Sequence, residues 1–240
     1  MKPTALKGKL YLIPTTLGES EPMDVLPQTV RRVIDFIDTY IVENEKTARR
    51  FVKSINPEKV QASLKLNTLN KHTEKSEHFA MIKPCLEGHN VGLMSEAGCP
   101  GVADPGAVIV KLAHENGVQV VPLVGPSSIL LAIMASGMNG QSFAFNGYLP
   151  IEKSEKKTAL KNLEKLSGDK NQSQLFIETP YRNNKMLEDI LQAINPATYL
   201  CIASDITLPT EYIKTMRASD WKKANIDLHN RPTIFIIHRM

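Results

Sequence analysis

The chain has no apolar run long enough to cross a bilayer. Its longest, Ile129 to Ala135, falls far short of the roughly 20 residues that a spanning helix needs. Near the start, Lys2, Lys7 and Lys9 are followed only by Leu10 to Ile13 before Pro14, which is no signal-peptide core. Cysteine is scarce and odd in number: Cys85, Cys99 and Cys201 form no C-x-x-C pair, so a disulfide scaffold is excluded and reduced thiols in a cytoplasm are expected. The six histidines show neither H-x-x-H nor H-E-x-x-H spacing, and no metal site is expected. Also missing are G-x-G-x-x-G after the first strand and G-x-x-x-x-G-K-[ST] anywhere, which removes the main support for dinucleotide and P-loop readings.

What is present is an ample core and a mild positive charge. Hydrophobic residues make up 42% of 240, enough for one large domain or two small ones. A net charge of +4 permits a polyanionic partner without demanding one. Basic residues gather at Lys2 to Lys9, at Arg31-Arg32 with Lys46-Arg49-Arg50-Lys53, and at Lys153 to Lys170. The last cluster alternates with Glu152, Glu155, Glu164 and Asp169, as a solvated helix face does. Arg49, Arg50 and Lys53 have little acid beside them and form the better candidate for phosphate contact.

Periodicity gives alternating strands and helices. Strands are expected at Lys9–Ile13, Tyr40–Val42, Val91–Met94 and Val118–Leu123. Asp24 is expected to cap a helix whose apolar face is Leu26, Val30, Val33, Ile34 and Ile37, with Pro27 in its first turn. A helix through Ile55 follows Glu43 to Thr47, and the polar segment Asn56 to Glu77 reads as a loop over a cleft. After Pro150 come a helix from Lys156 to Leu166, a strand from Gln174 to Glu178 and a helix from Asn183 to Ile194. Further strands are expected at Thr198–Ser204, near Glu211–Met216 and at Thr233–His238. This order implies two α/β domains, 1–123 with a mostly parallel sheet and 124–240 with a mixed one.

Two loops stand out. Ser95-Glu96-Ala97-Gly98-Cys99-Pro100-Gly101-Val102-Ala103-Asp104-Pro105-Gly106 joins an apolar strand to an amphipathic helix, and Gly125-Pro126-Ser127-Ser128 joins the next strand to an apolar helix. Glycine lets backbone approach a ligand closely and proline fixes loop shape. Two such loops at neighbouring strand ends suit a small-molecule cleft in an open α/β sheet, although tight connecting turns would look the same. Cys99 has no histidine near it in sequence to mark a nucleophile. Asp104 before Pro105 reads equally as a turn acid, and Ser127 or Ser128 as a helix cap.

SEAGCPGVADPG, then VPLVGPSS, SGM, FAFNGYLP and FIETPYR, taken in that order, resemble the tetrapyrrole methylase family of S-adenosylmethionine-dependent methyltransferases. Within it the ribosomal RNA small-subunit methyltransferase I branch, which methylates a cytidine 2′-hydroxyl, is most similar. The resemblance implies a class III methyltransferase-like build, with the cofactor in the cleft between two domains, and a homodimer. It assigns Gly98, Cys99, Pro100, Val102, Ala103 and Asp104 to the methionine moiety and ribose, with Ser127 and Ser128 on the second loop. Thr179, Ala203 and Pro232 would line the adenine side, while Pro14 and Leu17 would face the methyl acceptor. Glu43, Glu45, Lys46, Arg49, Arg50 and Arg182 are the candidates for the acceptor side, with ribosomal RNA as the implied partner.

Departures from the family pattern bear on the acceptor. The family's E-D-T-R is Glu43-Asn44-Glu45-Lys46 here, S-D-A-G-T-P is Ser95-Glu96-Ala97-Gly98-Cys99-Pro100, and P-T-P-I-G-N is Pro14-Thr15-Thr16-Leu17-Gly18-Glu19. The small C-terminal extension of the RNA enzymes is expected to be absent. A tetrapyrrole-like small molecule or a protein therefore remains an alternative acceptor, and a non-catalytic cofactor-binding protein a third reading. For a hydroxyl acceptor, Glu43, Glu45 and Asp104 are candidate bases by placement, and no catalytic residue is assigned.

Overall fold

The computed structural model describes residues 6–239, so Lys2 of the N-terminal basic cluster lies outside it. The chain divides into two compact units, Met1–Ser127 and Ser128–Met240.

The first unit is built from β1 (Lys9–Ile13), α1 (Pro22–Val25), α2 (Gln28–Phe36), β2 (Thr39–Val42), α3 (Glu45–Ile55), β3 (Lys65–Thr68), α4 (Lys75–Leu86), β4 (Val91–Met94), α5 (Ala107–Glu115) and β5 (Gln119–Pro122). Its sheet runs β3-β2-β4-β1-β5 with every pair parallel. Strand residues alternate between two cores: Ile13, Tyr40, Val42 and Met94 pack with α2 and α3, whereas Leu10, Ile41 and Leu93 pack with α4 and α5. Right-handed crossovers explain the split. Connections from β1 and β2 move toward the β3 edge and place α2 and α3 on one face. Those from β3 and β4 move the other way and place α4 and α5 on the opposite face. The neighbouring strands β1 and β4 therefore send their chains to opposite faces, which opens a crevice at their carboxyl ends.

Local chemistry explains where the sequence expectations shift. Asp24 caps nothing: it sits inside the four-residue α1, and Pro27, with an extended φ of −65° and ψ of 154°, stands at the N-cap of α2. The helical face Val30, Val33 and Ile34 is buried as expected. The segment Asn56 to Glu77 is not a loop over a cleft. It holds a 3-10 turn at Gln61–Ser63, the strand β3 and the first turn of α4. β3 is an edge strand with polar Lys65 and Asn67, so it lacks the apolar run of its neighbours. Pro84 inside α4 hides that helix from a propensity reading.

The second unit comprises α6 (Ser128–Ser136), β6 (Phe143–Tyr148), α7 (Lys153–Lys170), β7 (Ser173–Ile177), α8 (Asn183–Ala193), β8 (Tyr199–Ser204), β9 (Tyr212–Arg217), α9 (Ala218–Trp221) and β10 (Thr233–His238). Its sheet is mixed, in the order β6-β7-β10-β8-β9, with β6 and β7 parallel and the other pairs antiparallel. Leu160, Leu163, Met186, Leu187, Ile190 and Trp221 from the helices bury one face against Phe176, Leu200, Ile202, Phe235 and Ile237, and α6 packs against β8, β9 and β10. β6 was not foreseen: its register shifts between Phe145 and Tyr148, where Gly147 takes a φ of 62°, and the alternation breaks there.

Candidate functional site

At the carboxyl end of β4 the Gly/Pro loop is braced from within. Asp104 Oδ1 accepts the amides of Gly101 at 2.8 Å and Gly106 at 2.7 Å. Burial pushes the Asp104 carboxyl up, against the lowering effect of those two amides. The loop spends left-handed conformations at Gly98 (φ 73°), Gly101 (φ 80°) and the non-glycine Ala103 (φ 60°). Ala103 and Val102 are exposed, the latter by 50%, so an apolar side chain and a strained backbone are both presented to solvent. Holding a non-glycine residue in this region carries a local backbone cost of roughly 1–2 kcal/mol.

The loop is tied to the ends of β1 and β5. The amide of Thr15 donates to Gly98 O at 2.9 Å, and Ser95 Oγ donates to Ala97 O and Gly98 O. Cys99 Sγ donates to Pro126 O at 3.4 Å, which ties the first loop to the second. Burial raises that thiol, so Cys99 acts as a weak donor rather than a thiolate. A Cβ on Gly98 would lie 3.1 Å from Leu17 Cδ2 and 3.4 Å from Pro126 O, and one on Gly125 would overlap the Pro14 ring. Pro14, Leu17, Gly98, Cys99 and Gly125 thus converge at a cradle in which glycine backbone packs tightly against the Pro14 ring and the Leu17 side chain. Pro100 is buried beneath the loop, and Ser127 and Ser128 are half-buried at the start of α6.

Beside this cradle, within the first unit, lies a cavity of about 600 Å³. Its walls include Leu17, Arg50, Phe51, Met94, Ser95 and Glu96, contributed by the chain after β1, by α3 and by the chain after β4. Three acids, Glu19, Glu21 and Glu96, share the lining with one cation, Arg50. Arg50 Nη1 stands 3.9 Å from Glu19 Oε1, both side chains being largely exposed. Arg49 is not a bare phosphate ligand: its Nη1 donates to Gln61 O at 2.6 Å and its Nη2 lies 3.9 Å from Glu45. Lys46 and Lys53 are exposed.

The altered acidic motif has a structural role. Asn44 is the N-cap of α3, its Oδ1 accepting the amides of Lys46 at 2.9 Å and Thr47 at 3.3 Å. Glu43 Oε1 accepts the Glu96 amide at 3.1 Å, and Thr47 Oγ1 donates to Glu96 Oε1 at 2.6 Å. Burial raises the Glu43 carboxyl, with the charges of Asp104 and Glu96 acting in the same direction and the Glu96 amide opposing them. Sequence reasoning missed the Thr47–Glu96 pair. The retained acid in S-E-A-G was the available signal.

In the second unit, Thr179, Ala203 and Pro232 come to one end of the sheet. Thr179 follows β7, Ala203 pairs with Ile234 near the end of β8, and Pro232 precedes β10 with its carbonyl accepting Asp205 N at 2.9 Å. Arg182 is engaged: its Nη2 donates to buried Glu178 Oε1 at 2.7 Å and its guanidinium lies over the Tyr181 ring. Burial alone would raise Glu178, but Arg182 and Thr179 outweigh it and hold the carboxyl below its ordinary value. Arg182 therefore positions the Thr179 turn.

Among the described residues, no group of three or more metal-ligating side chains comes together, and no helix is long and apolar enough to cross a membrane. The chain is 30% identical to the ribosomal RNA small subunit methyltransferase I of Vibrio cholerae serotype O1, over 86% of this chain and 68% of that protein. It is 29% identical to the enzyme of the same name from Buchnera aphidicola subsp. Schizaphis graminum, over 96% and 78%. The fold is that of the methyltransferase CobJ, with a TM-score of 0.64 at 14% identity over 97% of this chain and 94% of that one. The same holds for the uroporphyrin-III C-methyltransferase of Thermus thermophilus complexed with S-adenyl homocysteine, at a TM-score of 0.56 and 16% identity over 97% and 98%. The model of the tetrapyrrole (corrin/porphyrin) methylases matches residues 9–221, and the chain belongs to this family of S-adenosylmethionine-dependent methyltransferases.

Proposed function

We propose that the chain transfers the methyl group of S-adenosylmethionine to a ribose hydroxyl of small-subunit ribosomal RNA, a cytidine 2′-oxygen in the reading drawn from the resemblance. The observation that carries this is the 600 Å³ cavity beside the Gly98–Gly125 cradle, large enough for a nucleoside and sharing Leu17, Ser95 and Glu96 with the cradle's own loops. The curated relatives are named as methyltransferases of small-subunit ribosomal RNA, which supports the RNA part of this reading. Gly98 and Gly125 let the two loop backbones close directly against the Leu17 side chain and the Pro14 ring, which leaves backbone groups rather than long side chains to meet the proposed cofactor. Pro14, Gly98, Cys99, Pro100, Val102, Ala103, Asp104, Ser127 and Ser128 are proposed to hold it, with Thr179, Ala203 and Pro232 on the adenine side.

The sulfonium supplies an electrophilic methyl carbon. The protein's part is to hold the acceptor oxygen in line with it, which is where most of the rate advantage of such a reaction arises. Arg50 and Lys53 are proposed as phosphate contacts; Glu43, Glu45, Lys46 and Arg49 support the α3 N-terminus that shapes the cavity. A homodimer and a cytoplasmic setting belong to the same reading.

The acidic lining of Glu19, Glu21 and Glu96 favours a second reading, a smaller acceptor without phosphates. Incubation with methyl-labelled cofactor and with ribosomal subunits, total protein and a small-molecule extract separates the two. Label in small-subunit RNA is expected. Label confined to the extract would replace RNA by the second reading.

A further inference from the structure

We propose that Glu96 is the general base that takes the proton of the acceptor hydroxyl. The inference rests on the hydroxyl-acceptor reading above and adds the catalytic residue that reading lacks. A hydroxyl is a poor nucleophile until its proton leaves, so the base must reach the acceptor oxygen.

Geometry separates the acids of the first unit. Asp104 Oδ1 is taken by two loop amides, and Glu45 faces Arg49 outside the cavity lining. Glu43 spends Oε1 on the Glu96 amide and is likewise not part of the large cavity's wall. Glu19 and Glu21 do line the cavity, but on the exposed loop after β1, where Glu19 answers Arg50. Glu96 alone among them stands at the end of β4, one residue after Ser95 and two before Gly98, where the acceptor cavity meets the cofactor loop.

Its carboxylate is also aimed. Thr47 Oγ1, on the first turn of α3, donates to Oε1 at 2.6 Å, and Glu43 fixes its backbone amide. In this proposal Oε2 takes the acceptor proton. In the step, the acceptor O–H proton passes to Glu96 while its oxygen forms the bond to the methyl carbon. The S–CH₃ bond breaks, its electrons remain on sulfur as the neutral thioether S-adenosylhomocysteine, and Glu96 returns the proton to water. Thr47 is a positioning residue. The charged groups around Glu96 are Glu43 from the β2 end, which also feels Asp104, and Glu19, Glu21 and Arg50, which line the same cavity.

The test uses the full chain with small-subunit RNA and labelled cofactor. E96Q keeps the Thr47 bond and should lower kcat by about 10²–10⁴-fold, with KM for RNA and cofactor affinity unchanged. The acid limb of the wild-type pH–rate profile should vanish. E96D should retain part of the rate, T47V should lower kcat, and T47S should restore it. An active wild type whose E96Q variant keeps its kcat and acid limb would overturn the base and leave the acceptor reading standing. A folded wild type that methylates no RNA would overturn both.

Discussion

Gly98 shows how much a single residue can decide. Its φ of 73° and the 3.1 Å approach of Leu17 leave no room for a larger side chain. G98V should abolish detectable calorimetric binding of S-adenosylhomocysteine, while the left-handed conformation adds a local cost of roughly 1–2 kcal/mol. Asp104 should divide by chemistry: D104N keeps an acceptor oxygen for the Gly101 and Gly106 amides, whereas D104A leaves both unmade at about 1–3 kcal/mol. Thermal melts should therefore rank wild type and D104N together, above D104A. In the second unit, His238 is buried, with Nδ1 3.3 Å from Ser173 Oγ. Burial lowers its pKa, opposed by the Gln172 backbone. Its folded value lies below its ordinary 6.5, so the stabilising neutral form is complete above pH 6.5 and lost as pH falls through the folded value. The wild-type melting temperature should drop across that acidic range more than that of H238N; equal slopes would contradict the assignment.

Among the elements, α3 carries the sharpest lesson. Asn44 stands where the RNA-methylating branch has an acid, and an amide cannot take a proton as a carboxylate does, which would make the change a catalytic loss. The structure gives the position to helix capping, which asparagine and aspartate perform equally well. N44D should leave stability and methylation nearly unchanged, and N44A should cost about 1 kcal/mol in denaturant melts. A gain of 10²-fold or more in RNA methylation from N44D with K46R would restore the catalytic reading. Helices with a clean apolar face, such as α2 and α3, and the fully buried strands β4 and β10 were legible because each buries a continuous pattern. β3, α4 and β6 were not: one is a polar edge, one holds an internal proline, and one breaks its register at Gly147. The two Gly/Pro loops were legible from glycine and proline alone; their assignment to the cofactor came only from the family resemblance. The Thr47–Glu96 pair was not, because it joins residues 49 positions apart on two different elements.

For the whole molecule, the proposed RNA acceptor must enter a cavity rimmed by Glu19, Glu21 and Glu96. With Arg49 committed to Gln61, the proposed phosphate contacts are Arg50 and Lys53. Neutralising both should lower the salt slope of RNA binding by about two, roughly one unit per contact, and leave cofactor affinity unchanged. An unchanged slope would move RNA to the basic α7 segment.

The most direct measurement follows the methyl group to its atom. Small-subunit RNA labelled by the purified chain is hydrolysed in alkali, which cleaves beside a ribose bearing a free 2′-hydroxyl and spares one that is methylated. Label in an alkali-resistant dinucleotide is the predicted result. Label on a mononucleotide base, or none in RNA at all, would contradict the account.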